Sequence, residues 1–244
     1  MSEEFVALYC KHVGPAFDRR LRFRALVEKK AAGEEASYDA PTAALAFGKL
    51  KFEAELLGTY HAANGSWRWA WGDPHAKLTL TNRALGTVVK ASAGKLGSPV
   101  FTAHGFTAEA LFGPDLAPHA ADVLGAVLAR ELGFDTHFVT EVNGEPAALL
   151  IRDKRISLTE PKPVARVATV FAELVGAVPV PNPRMALTEF AREYGLTVTE
   201  TDDVVTATKG KSALEATFAA GALKALALDG KAIALTKPKA KKRK

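Results

Sequence analysis

The chain has 244 residues, 48% hydrophobic and 24% charged, an ordinary globular composition with ample material for a core. No apolar run reaches transmembrane length, and the acidic start MSEEFVALYCKHVG lacks the basic and apolar regions of a signal peptide, so a soluble cytoplasmic protein is expected. The net charge of +5 resides in the tail: the last eight residues, KPKAKKRK, carry six positive charges and no negative one, leaving a body near −1 that is a poor electrostatic footprint for nucleic acid.

Residues 3–33 read as helix, with Phe5, Leu8, Tyr9 and His12 on one face and Phe17, Leu21 and Ala25 on a second. Gly14-Pro15 is expected to break or kink this helix, and Gly33 to end it. Cys10 is the single cysteine, which excludes an intrachain disulfide, and it reads as an inert thiol. From Tyr38 the period changes to two. Ala43, Leu45 and Phe47 alternate, Gly48 turns the chain, and a long strand follows. There Leu50, Phe52, Ala54 and Leu56 point inward while Lys49, Lys51, Glu53 and Glu55 point outward.

Asn64-Gly65 then predicts a two-residue type I′ hairpin. That register sets Tyr60 opposite Trp69 and Gly58 opposite Trp71, and puts Trp67, Trp69, Trp71 and Tyr60 on the face of Leu50 and Phe52. The opposite face, with Glu53, Glu55, Thr59, His61 and Arg68, reads as polar. A four-residue loop would keep the same parity. On this register the hairpin closes a core; an exposed ladder of rings that stacks sugars or bases is the competing reading.

Asp73-Pro74 reads as the start of a helix running to about residue 93, with Leu78, Leu85, Val88 and Val89 as its apolar side. SPVFTAHGF is a short strand candidate. Residues 114–132 read as a helix opened by Pro114-Asp115 and closed by Gly133. Asn143-Gly144 joins FDTHFVTEV to EPAALLI in a second hairpin. Pro161 and Pro163 mark a boundary within 152–163. Helices at 164–175 and 183–194 flank the extended VPVPNPR, and short strands with turns at Asp202-Asp203, Lys209-Gly210 and Ala220-Gly221 complete the chain. The expected class is α+β, antiparallel hairpins packed against helices. An N-terminal domain spans 1–153, a helix-plus-meander region 164–235, and a disordered basic tail 236–244.

One pattern goes beyond composition: Ser37-Tyr38-Asp39, then Phe47, then LLGTY (Leu56–Tyr60), then SWRWAW (Ser66–Trp71). With its Gly-Thr-Tyr strand and Trp-x-Trp-Ala-Trp hairpin, the stretch from about residue 5 to 153 resembles a bacterial domain family of unknown function. The resemblance implies a small α+β domain and brings no activity, substrate or catalytic residue with it.

Chemical motifs are sparse. Gly210-Lys211-Ser212 is not a phosphate loop, because Val205 stands where the first glycine would be needed. No G-x-S-x-G, H-E-x-x-H, paired C-x-x-C or G-x-G-x-x-G occurs, and neither metal nor cofactor is expected. His104, Asp115, His119, Asp122, Asp135 and His137 fall in a short span. On a helix over 114–132, Asp115, His119 and Asp122 would share a face, where a carboxylate–imidazole pair can serve acid/base work. The plainer reading is a capping Asp on a polar face, with His137 a satisfied sheet residue. The candidate ligand set is therefore Trp67, Trp69, Trp71, Tyr60, His104, His119 and Asp122, with no catalytic residue assigned. Three readings fit the tail residues Lys239, Lys241, Lys242, Arg243 and Lys244: a solubility tail, a weak non-specific contact with nucleic acid or another polyanion, and, last, a membrane surface. The function expected is a non-enzymatic binding or interaction module, with a possible protein partner and no membrane partner. The alternative is an enzyme or small-ligand protein with a pocket near the Trp hairpin and His104, His119 and Asp122.

Overall fold

A computed structural model of the protein describes residues 3–72, 80–92, 101–156 and 160–235. The chain divides into two compact units, one of residues 1–8 and 19–157, the other of 9–18 and 158–244. Helix α1 (Glu3–Ala31) contributes residues to both and runs without a break through Gly14-Pro15. Within the second unit a methyl group on Gly14 would lie 2.6 Å from the Phe190 ring, so the glycine serves close packing rather than helix termination.

The first unit is built on a seven-stranded antiparallel sheet. Its long central strand β3 (Leu50–His61) pairs β2 (Ala44–Phe47) through its first residues and β4 (Ser66–Trp69) through its last. Beyond these lie the short strands β1 (Ala36–Asp39) and β5 (Gly105–Thr107). Along its middle, β3 pairs β7 (Glu145–Arg152), which pairs β6 (Thr136–Val142). The β6–β7 turn is the expected type I′, with Asn143 at φ 54° and Gly144 at φ 79°.

The Trp hairpin departs from expectation in two ways. His61 pairs Ser66, so the loop is the four residues 62–65, and only Gly65 has positive φ. Asn64 instead accepts hydrogen bonds from the Ser66 N–H and hydroxyl through Oδ1. The register moves by two, setting Tyr60 against Trp67 and Gly58 against Trp69. Parity survives the move, but the shared face does not. A bulge at Leu57 separates the pairs Leu56–Leu149 and Gly58–Ala148, and inverts β3. Phe52, Ala54 and Leu56 face one core with Phe23, Leu45, Phe47, Leu149 and Ile151. Trp67 and Trp69 lie on the other face, in line with Ala148. That second face is covered by helix α4 (Ala120–Glu131), which packs on β6 and β7. Glu55, expected to be solvated, is consequently only 2% exposed.

The helix expected over 114–132 is also divided. Helix α3 (Ala108–Phe112) comes first, a 3-10 turn occupies Ala117–His119 with Pro118 in it, and α4 begins at Ala120. A proline disfavours α geometry in the residue before it, which postpones the helix. Helix α2 (Leu80–Ser92) matches the C-terminal part of the helix expected to begin at Asp73-Pro74, a start that lies outside the described residues; so do residues 98–100 of the strand candidate SPVFTAHGF, of which only Gly105 and Phe106 are strand, at the start of β5.

The second unit is a meander in sequence order: β8 (Thr197–Glu200), β9 (Val204–Lys209), β10 (Ser212–Ala219), β11 (Ala222–Leu228) and β12 (Lys231–Ala232). Val205, Ala207, Leu214, Ala216, Phe218 and Leu226 are buried on its inner face, against α5 (Pro163–Ala177) and α6 (Pro183–Glu193). Residues of α1 complete this core. Cys10 is buried and its thiol donates to the Asn182 carbonyl at 3.5 Å; burial pushes its pKa up to about 11, which fits an inert thiol. Asp18, fully buried, accepts from the Arg166 guanidinium and the Tyr194 hydroxyl.

One turn in this unit is underserved by its sequence. Ala220 sits at φ 49° before Gly221 at φ 76°, a type I′ conformation that disfavours alanine. Ala220→Asn is expected to stabilise the fold by about 0.5–1 kcal/mol, read as a higher urea midpoint at unchanged slope. An unchanged or lowered midpoint would contradict that reading of the turn.

Candidate functional site

The aromatic hairpin was the first candidate. Trp67 and Trp69 are fully buried, with ring centroids 5.6 Å apart in an edge-on contact. Trp71 follows in a 3-10 turn, half-buried, and stacks on Trp69 at 4.7 Å with the planes 10° apart. Phe101 and Phe106 add further rings at 5.8 and 5.9 Å from Trp69. The outer side of Trp71 is met by α2: a methyl on Gly86 would come within 2.6 Å of the indole. Gly58 plays a comparable part for Trp67, whose ring would lie 2.6 Å from an added methyl. Tyr60 is half-buried opposite Trp67. These rings are packed against one another and against backbone, not displayed as a platform.

The second candidate set assembles only in part. His104 is exposed before β5, and its backbone carbonyl accepts the Trp69 N–H at 3.2 Å. Among the described residues no ion pair joins His104 to Asp122. His119 lies in the 3-10 turn rather than on a shared helix face with Asp115. Asp122, in the first turn of α4, is the centre of a real cluster. Its Oδ1 pairs with the Arg20 guanidinium and lies 3.5 Å from Nε2 of His137 on β6.

His137 is almost wholly enclosed: α4 approaches so closely at Gly125 that a methyl there would lie 2.6 Å from the imidazole. Among the described residues its Nδ1 has no hydrogen-bond partner, and at 3.5 Å the Asp122 approach is a charge contact rather than a formed hydrogen bond. Sequence reasoning treated His137 as a satisfied sheet residue and missed Arg20 altogether. The spacing of Asp122 and His137 carries no signal, since only the packing of α4 on β6 joins them.

Burial would raise the Asp122 pKa, but contact with His137 and the positive charge of Arg20, His137 and His119 hold it below the ordinary aspartate value. Burial depresses the His137 pKa below its usual 6.5, although Asp122 opposes the shift. The sign of the pH effect follows. Below pH 6.5 the unfolded chain binds a proton at His137 more readily than the native state does. Stability is therefore full above about pH 6.5 and falls as the pH drops toward the folded value, by at most about 1.4 kcal/mol per pH unit. Urea midpoints across pH 7.5 to 5 should show this slope, and His137→Gln should flatten it; an equal slope in the variant would contradict it. Asp122 contributes in a lower window, where stability present above about pH 4 is lost with further acid.

Two antiparallel sheets, each packed with helices, define an α+β protein. Its sequence places it further. The chain belongs to the family of unknown function DUF6882, whose profile matches residues 7–154, more than half of the length. No curated protein and no solved structure matches it. Among the described residues no helix is long and apolar enough to cross a membrane, and no group of three or more His, Cys, Asp or Glu is placed to hold a metal ion.

Proposed function

We propose that the protein is a non-enzymatic, cytoplasmic binding or interaction module of bacterial origin, and that the Gly-Thr-Tyr strand with its Trp-x-Trp-Ala-Trp hairpin is the family's mark. The observation that carries this reading is the closed state of the hairpin: its tryptophans are committed to packing, so contact with a partner falls to the surface. The basic tail supplies the strongest charge concentration on the chain, with six cations in its last eight residues. Polyanion contact through Lys239, Lys241, Lys242, Arg243 and Lys244 is the mode proposed. Five phosphate contacts would lose roughly five-hundredfold in affinity between ~50 and ~200 mM salt. Retention of the full chain on heparin or single-stranded DNA should show that dependence. Deletion of residues 237–244 should abolish it, and retention unchanged by the deletion would sink the tail reading.

A second reading, a small-ligand or enzymatic site, is favoured by one observation: Asp122 gathers Arg20, His137 and the charge of His119 at the start of α4. A thermal-shift screen tests it. A compound that raises the midpoint of the wild type but not of Asp122→Asn supports this reading over the first; hits that act equally on both count against it.

A further inference from the structure

The cluster around Asp122 has a property that neither functional reading uses. A single carboxylate oxygen serves two cationic or potentially cationic groups: Oδ1 of Asp122 pairs with the Arg20 guanidinium and lies 3.5 Å from His137 Nε2. The three side chains come from three elements, α1, α4 and β6. The contacts that hold residues 19–31 of α1 to the rest of the first unit include Arg20 on Asp122, Arg19 donating to the Asp135 carbonyl at 3.1 Å, and Phe23 in the Phe47–Phe52–Phe138 cluster, with Leu26, Val27 and Ala31 packed beside it.

The surroundings of the pair define how it responds to a proton. From α1 it faces Arg20; from the turn before α4, the charge of His119 acts on Asp122; β7 presents apolar Leu150 beside His137. Glu55 of β3 lies on the same sheet face, one strand beyond Leu150. At neutral pH His137 is uncharged and Arg20 holds the carboxylate. With His137 charged, the imidazolium and the guanidinium would compete for one oxygen in an enclosed site.

We propose that Arg20, Asp122 and His137 form a proton-operated latch: when the His137 ring takes up a proton from solvent, Asp122 turns to the imidazolium and gives up its pairing with Arg20, loosening α1 around that residue. The contact between α4 and β6 is strengthened in the same step, because the neutral approach at 3.5 Å becomes an ion pair. The device is reciprocal, so whatever draws Arg20 away also favours protonation of His137.

Hydrogen exchange of the full chain, corrected for the intrinsic pH dependence of exchange, tests it. Between pH 7.5 and 5.5, amides 19–27 should lose protection about tenfold, while those of α4 and β6 should keep theirs. His137→Gln should remove the loss. In Asp122→Asn the same amides should be poorly protected at both pH values. Loss spread evenly over the first unit, or an equal loss in His137→Gln, would overturn the latch. If His137→Gln does not fold, the His137 ring can be titrated by NMR in wild type and in Arg20→Gln. Its pKa should rise once the guanidinium is gone, and an unmoved titration would be fatal to the proposal.

Discussion

Replacing Trp69 with alanine is expected to lower the unfolding free energy of the first unit by about 3–5 kcal/mol, the largest effect of any single ring in the hairpin. Trp69 is fully buried and touches Trp67, Trp71, Phe101 and Phe106. Its removal takes away transfer free energy and leaves a hole among rings fixed by the sheet, which cannot collapse to fill it. Trp71→Ala should cost less, since that ring is already half-buried and loses one stacking partner and the contact with α2. The order Trp69 above Trp71 is read from denaturation followed by far-ultraviolet circular dichroism, because fluorescence would lose its own reporter. A loss below about 1 kcal/mol for Trp69→Ala would place the hairpin outside the core and restore the platform reading.

The second large effect lies in the other unit. Asp18→Ala is expected to cost about 3–5 kcal/mol, because it removes the buried acceptor of Arg166 and Tyr194 and leaves both donors without it. The cost should not reflect the worth of the ion pair itself. Two charges were desolvated to make it, so Asp18→Leu combined with Arg166→Met should recover much of the loss. Measured urea midpoints for the single and double variants separate these cases. A double variant as unstable as Asp18→Ala alone would show that the network contributes stability beyond mutual neutralisation.

Much of this architecture was legible because it depends on near neighbours. The alternation from Leu50 to Leu56 marked the central strand, and Asn143-Gly144 marked a turn whose two positive φ angles depend on the two residues themselves. Asn64-Gly65 carried the same dipeptide and a different loop, because the Asn64 side chain found a local acceptor role toward Ser66 instead. Gly14-Pro15 looked like a helix break, but a helix tolerates proline where tertiary packing compensates, and Gly14 abuts Phe190 across many residues of sequence. Glu55 reads as a surface residue in any count of alternating positions; its burial follows from the arrival of α4 on that face. The Asp122 cluster was half visible for the same reason. His119 and Asp122 are close in sequence, whereas Arg20 and His137 reach Asp122 only through the fold.

The bulge at Leu57 has a consequence for how this strand can change over time. On its N-terminal side, β3 supplies the phenylalanine layer; on its C-terminal side it supplies the partner row of the tryptophans. Removing that one residue would leave the composition nearly untouched and exchange inward for outward at every later position up to the loop. Leu57 is therefore constrained by count more than by chemistry: other apolar residues can fill its place, but a deletion there would invert the register of half the strand. Each of the two layers can accept substitutions on its own, provided the number of residues between them stays the same.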